Sequence, residues 1–134
     1  MFDAMEKRYK VLVVDDEELA QDFLKYFLSK QFEVHTCGSV NAFYNIINSI
    51  DFDLVLMDIS LKDSKDGIDL TRELKQMEKY KNTPVFVLTA FNTTKERNSS
   101  FEAGAQEFLA KPVDGKSLLQ LINSVLAKPE PALR

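Results

Sequence analysis

Five short apolar runs, each followed by a helical pattern, constrain this 134-residue chain more than any other feature. The runs are Val11-Leu12-Val13-Val14, Phe32-Glu33-Val34-His35-Thr36-Cys37, Leu54-Val55-Leu56-Met57, Val85-Phe86-Val87-Leu88 and Glu107-Phe108-Leu109-Ala110. Continuous β-branched and Leu runs suit strands covered on both faces, as in parallel sheets, whereas the alternating second run suits an edge strand with one wetter face. Between them recur helical stripes: Leu19, Phe23 and Phe27 with Leu24 and Leu28; Phe43, Ile46, Ile47 and Ile50; Leu70, Leu74 and Met77; and Leu118, Leu119, Ile122, Val125 and Leu126. Ser39, Asp66 and Asp114 are expected helix N-caps. Thr93 to Glu96 has capping-box spacing, and Gly104 can stop that helix. From Thr93 to Ala103 the one large apolar residue is Phe101, so this fourth helix should be the least firmly anchored. Strand alternating with helix five times implies an α/β doubly wound sandwich, and right-handed crossovers then gather every strand-to-helix loop at one edge of the sheet.

Composition removes several function classes. Lys and Arg number 17 against 21 Asp and Glu, a net charge of −4, so no basic footprint for nucleic acid or an anionic membrane exists overall. One cysteine cannot form an internal disulfide. No apolar run approaches the roughly 18 residues of a membrane span, and the first nine residues lack the apolar region of a signal peptide. The expectation is one soluble domain of the reducing cytoplasm over residues 1–128, with 129–134 as a tail or truncated linker. The phenylalanines Phe23, Phe27, Phe43, Phe52, Phe86 and Phe101 are expected in the core, Cys37 as a small buried hydrophobe, His35 at the surface, and Lys75, Lys79 and Lys81 on a solvated face.

The residues that end the apolar runs carry the chemistry. Asp15 and Asp16 follow the first run, Asp58 the third, Thr89 the fourth and Lys111 the fifth. Open parallel sheets bind ligands beyond the carboxyl ends of their strands, so these residues should share one crevice. Three carboxylates there raise one another's pKa unless a cation compensates. All-oxygen ligands without Cys or His favour Mg²⁺ or Mn²⁺. With a lysine and a hydroxyl added, the site can hold a dianionic phosphoryl group, and the arrangement is one for phosphoryl transfer.

The pattern Val13-Val14-Asp15-Asp16-Glu17, Leu56-Met57-Asp58, Leu88-Thr89-Ala90 and Phe108-Leu109-Ala110-Lys111-Pro112 resembles the receiver domain of bacterial two-component response regulators, over about Lys10 to Leu126. The resemblance implies a flavodoxin-like fold with strand order 2-1-3-4-5. It implies that Asp58 accepts a phosphoryl group from a sensor histidine kinase or phosphotransfer protein. Asp16, Asp58 and the Ser60 carbonyl would ligate Mg²⁺ directly, with Asp15 acting through a water. Thr89 would bond a phosphoryl oxygen, Lys111 would pair with the same group, and Lys111-Pro112 would be cis, which X–Pro bonds adopt at little cost. Phosphorylation would draw Thr89 inward and turn the aromatic at position 108, switching the fourth-helix, fifth-strand and fifth-helix face toward an unidentified effector. Such a domain is not a substrate-turnover enzyme, and is expected as a monomer or a phosphorylation-dependent dimer.

The chain departs from that family at three places. Position 108 is Phe where Tyr is usual, so an inward ring has no hydroxyl to bond. The loop after Asp58, Ile59 to Gly67, lacks a frequent Pro and is one residue longer. Phe91 and Ser60 occupy the positions bordering the attacking water, where bulky Phe91 should shield an acyl phosphate. Each site residue also has an ordinary reading by itself: a helix cap for Asp15 and Asp16, a strand end for Asp58 and Thr89, a surface turn for Lys111-Pro112. Four strand ends in order, each with the required type, carry the argument together.

Rival functions read less well. A flavin-phosphate carrier would need a phosphate cradle where Asp15-Asp16-Glu17-Glu18 stands. A haloacid-dehalogenase-type phosphatase would show D-x-D on its first strand. A receiver-like interaction module working without phosphorylation is the remaining alternative.

Overall fold

The computed structural model describes residues 8–126, and the expected tail at 129–134 lies outside them. The five runs form parallel strands: β1 (Lys10–Val14), β2 (Glu33–Cys37), β3 (Leu54–Asp58), β4 (Val85–Thr89) and β5 (Glu107–Ala110). They lie in the order β2-β1-β3-β4-β5, with the alternating run at one edge. Helices α1 (Glu18–Leu28), α2 (Val40–Ser49), α3 (Gly67–Lys75), α4 (Thr94–Ala103) and α5 (Gly115–Leu126) intervene, with a 3-10 turn at Glu78–Tyr80. The fold is therefore the flavodoxin-like sandwich expected.

Successive side chains of a strand point to opposite faces, and here both faces are covered. Leu12, Val14, Val55, Met57, Val85 and Val87 pack with Phe43 and Ile47 of α2 and Leu70 and Leu74 of α3. Val11, Val13, Leu54, Leu56, Phe86 and Leu88 pack with Leu24 and Leu28 of α1 and Leu118 and Ile122 of α5. Burial also pushes the Cys37 thiol up to about 12.

The caps at Ser39 and Asp66 form, each side chain accepting an N–H three residues on. Asp114 likewise accepts from Ser117 N at 3.0 Å. At Asp66 the box is complete, because Asp69 returns a carboxylate oxygen to the Asp66 N–H. At Thr93 it is not. The Thr93 hydroxyl accepts from Glu96 N, but the Thr93 N–H is bonded to the Phe91 carbonyl and the Glu96 side chain turns elsewhere. Gly104, at φ 110°, ends α4 in the left-handed region where a β-carbon is disfavoured.

Three packing expectations need correction. Phe23 is 44% exposed and Leu19 84%, because α1 docks on the sheet through Leu24 and Leu28, one turn apart, and rotates Leu19 and Phe23 off that contact. Phe101 is 40% exposed because α4 turns only Ser100 and Ala103 fully inward. Lys75 is not simply solvated: its ammonium donates to the Thr83 and Tyr80 carbonyls, and its stem lies against Gly104.

Candidate functional site

Strand register brings the chemical residues to one level. Val14 pairs with Met57, Asp58 with Leu88 and Thr89 with Ala110. Asp15 thus emerges beside Asp58, and Lys111 follows β5 beside Thr89, whose carbonyl accepts the Lys111 N–H at 2.7 Å. The Lys111–Pro112 peptide is cis.

Asp15 and Asp58 are buried and Asp16 is half-buried, and one carboxylate oxygen from each lies within 4.8 Å of the others. Asp15 Oδ1 accepts from Glu17 N at 2.9 Å. Asp16 Oδ2 accepts from Lys62 N at 2.9 Å, tying the first strand's loop to the third's. Lys111 Nζ stands 2.9 Å from Asp15 Oδ2 and 3.0 Å from Asp58 Oδ1. Ser60, Phe91 and Lys62 line the same hollow. Gly67, at the start of α3, packs directly against the Asp58 backbone: a β-carbon there would sit 2.1 Å from the Asp58 carbonyl oxygen.

Electrostatics follow from that crowding. Burial, reinforced by the neighbouring Asp15, raises the Asp58 carboxyl above its ordinary value against the pull of Lys111. Burial by itself would lower the Lys111 ammonium, but its hydrogen bonds to Asp15 and Asp58 outweigh that and raise it. Asp15 and Asp58 thus share the Lys111 ammonium, with the Asp16 carboxylate beside them. Hard oxygen donors in excess of positive charge, with no His or Cys among them, fit a divalent cation such as Mg²⁺.

Asp15, Asp16, Asp58 and Lys111 are thus brought together, with Ser60 at their edge. The Thr89 hydroxyl is engaged differently. It accepts from Phe91 N at 2.9 Å and stands 2.7 Å from Glu96 Oε1. Phe108 is already buried, in the core cluster on the α2 and α3 side of the sheet. Its ring lies 5.9 Å from the Arg97 guanidinium, which also sits 5.2 Å over Phe101. Sequence reasoning missed Glu96 and Gly67. A Gly directly after the Asp66 cap was the one legible sign of the second, and the first had none, since its spacing to Thr93 pointed to a local cap.

Comparison with known proteins gives the family and the fold. The family model described as the response regulator receiver domain matches residues 11–123. Protein PetR of Rhodobacter capsulatus is 34% identical over 119 residues, covering 88% of this chain and 48% of PetR. The transcriptional regulatory protein SrrA of Staphylococcus aureus is 27% identical over 122 residues, covering 90% of this chain and 49% of SrrA. The chain therefore spans about half the length of the curated relatives it matches. Among solved structures, the chemotaxis protein CheY4 of Vibrio cholerae superposes with a TM-score of 0.83 at 24% identity, covering 89% of this chain and 99% of CheY4, a likeness of fold.

Proposed function

Since the chain belongs to the response-regulator receiver family of two-component signalling, we propose that Asp58 is its phosphoacceptor and that its donor is a sensor histidine kinase or phosphotransfer protein in the cytoplasm. The observation that carries this reading is the convergence of Asp15, Asp16, Asp58 and Lys111 at one end of the sheet.

A carboxylate oxygen of Asp58 attacks the phosphorus of a phosphohistidine. The new bond is P–O, the bond broken is P–N, and the departing imidazole takes up a proton. Asp16, Asp58 and the Ser60 carbonyl would hold Mg²⁺, with Asp15 behind a water, and the ion would supply charge neutralisation to the phosphoryl oxygens. Lys111 pairs with the phosphoryl group, and its ammonium, 3.0 Å from Asp58 Oδ1, pulls the Asp58 carboxyl down against the burial that raises it. Backbone contacts hold the constellation in place: Lys62 N fixes Asp16 and Glu17 N fixes Asp15. Because positioning and charge stabilisation dominate phosphoryl transfer, a small preformed site suffices. Thr89 and Phe108 would report the new group to α4, β5 and α5, and through that face to an effector.

Incubation with acetyl phosphate and Mg²⁺, followed by intact mass, tests this directly. Wild type should carry one phosphoryl adduct and Asp58→Asn none. An adduct on the variant, or none on wild type, overturns the assignment and favours a module that binds partners without phosphorylation.

A further inference from the structure

The Thr89 hydroxyl has one hydrogen. Because its oxygen accepts from Phe91 N, that hydrogen is left for donation, and of the two acceptors in reach, the Phe91 carbonyl at 3.1 Å and the Glu96 carboxylate at 2.7 Å, the nearer and charged one is Glu96. Glu96 is the third residue of α4, where the spacing from Thr93 would send its side chain back to the cap. Here the Thr93 N–H is occupied by the Phe91 carbonyl, and Glu96 reaches across to β4 instead. The next residue, Arg97, covers the buried Phe108 ring. Two consecutive residues of one helix thus hold both positions through which a phosphoryl group would be sensed.

That helix is otherwise lightly attached. Ser100 and Ala103 are its fully buried residues, and the buried Ser100 hydroxyl has no hydrogen-bond partner among the described residues, which disfavours the docked position. A helix with so few apolar anchors is held by individual polar contacts, so the Thr89–Glu96 bond is a large part of what fixes its first turn.

We propose that Glu96 is a positioning residue that latches Thr89 in the unphosphorylated domain. One hydroxyl hydrogen cannot serve Glu96 and a phosphoryl oxygen together. Phosphorylation must therefore take Thr89 from Glu96, and losing that bond releases the first turn of α4. By reciprocity, whatever occupancy of Asp58 does to the Glu96 contact, loss of Glu96 does to the affinity of Asp58 for its phosphoryl group. The inference rests on the assignment of Asp58 as phosphoacceptor.

The test is beryllofluoride binding, a phosphoryl mimic, titrated with Mg²⁺ and read by fluorine NMR on wild type, Glu96→Ala, Glu96→Gln, Thr89→Ala and the Thr89→Ala/Glu96→Ala double variant. The Thr93 cap survives in all of them, and the glutamine variant keeps the side-chain volume should alanine compromise folding. Glu96→Ala should bind about tenfold tighter than wild type, the order of one charge-assisted hydrogen bond no longer broken, with Glu96→Gln between them. In the Thr89→Ala background, Glu96→Ala should change affinity less than about twofold, the non-additivity of two groups that act through one contact. Equal or weaker binding by both Glu96 variants overturns the latch and leaves the Asp58 assignment intact. Equal tightening with and without Thr89 overturns it as well, since Glu96 would then act through its charge alone. No binding by wild type removes the Asp58 assignment, and the latch with it.

Discussion

The ammonium of Lys111 lies 3.0 Å from Oδ1 of Asp58, and the two arrive from different strands, fifty-three positions apart in the chain. The pair is buried on the carboxylate side and 21% exposed on the lysine side. The lysine also binds Asp15, so one cation is shared by two buried anions. A cation shared between two buried anions leaves a charge imbalance that bears on stability.

Ionised Asp58 should oppose folding. Its pKa is raised above the ordinary value of about 3.9. An acid whose pKa is higher folded than unfolded binds more protons in the native state, so stability falls as pH rises from the ordinary value through the raised one. Asp58→Asn, uncharged throughout, should therefore melt above wild type at neutral pH without metal. The difference should shrink on acidification and vanish near about pH 4. Melting curves of both proteins across that range decide it, and a variant no more stable than wild type at neutral pH contradicts the expectation.

Removing the lysine should do the opposite. Lys111→Met leaves Asp15 and Asp58 without their shared cation, at a cost of about 3 kcal/mol, the low end for a broken buried pair because the lysine keeps some exposure. Mg²⁺ should then raise the melting temperature more in the variant than in wild type, since no ammonium competes for the same oxygens. Thermal unfolding in chelator and in Mg²⁺ gives both numbers. A larger Mg²⁺ response in wild type would be the wrong sign.

Gly67→Ala should be costly where Gly115→Ala is mild. The new β-carbon at 67 meets the Asp58 backbone oxygen at 2.1 Å and its carbon at 2.8 Å, atoms that cannot yield without moving the strand end. At 115 the contact is the edge of the Phe27 ring, the far end of a rotatable side chain. We expect a loss of about 3 kcal/mol at 67 and about 1 kcal/mol at 115, in urea unfolding. Phosphoryl labelling by acetyl phosphate should fall at 67 alone.

Phe91 should lengthen the life of a phosphoryl group. Its ring is 64% exposed yet lines the hollow above Asp58, where it can obstruct an incoming water. Phe91→Ala, labelled with acetyl phosphate and then desalted, should lose its adduct severalfold faster than wild type. An unchanged decay would dismiss the shielding.

Much of this protein is legible in its order of residues. Period-2 and period-3.6 apolar patterns require local backbone geometry and burial only, so the five strands, four of the helices and the covered sheet follow from Val11–Val14, Leu54–Met57 and their neighbours directly, while α4 is legible from its Thr93 cap and Gly104 stop. Asp15, Asp16, Asp58, Thr89 and Lys111 can be picked out because each ends an apolar run, and parallel strands put such ends together. What the tertiary structure alone decided is orientation. Which side of α1 meets the sheet left Phe23 outside, a rotation set by the packing of Leu24 and Leu28 rather than by their hydrophobicity. Glu96 has two partners within reach, a local cap and a threonine on another strand. The choice between them turns on whether the Thr93 N–H is already occupied, a competition between contacts near and far in sequence that no reading of spacing can resolve.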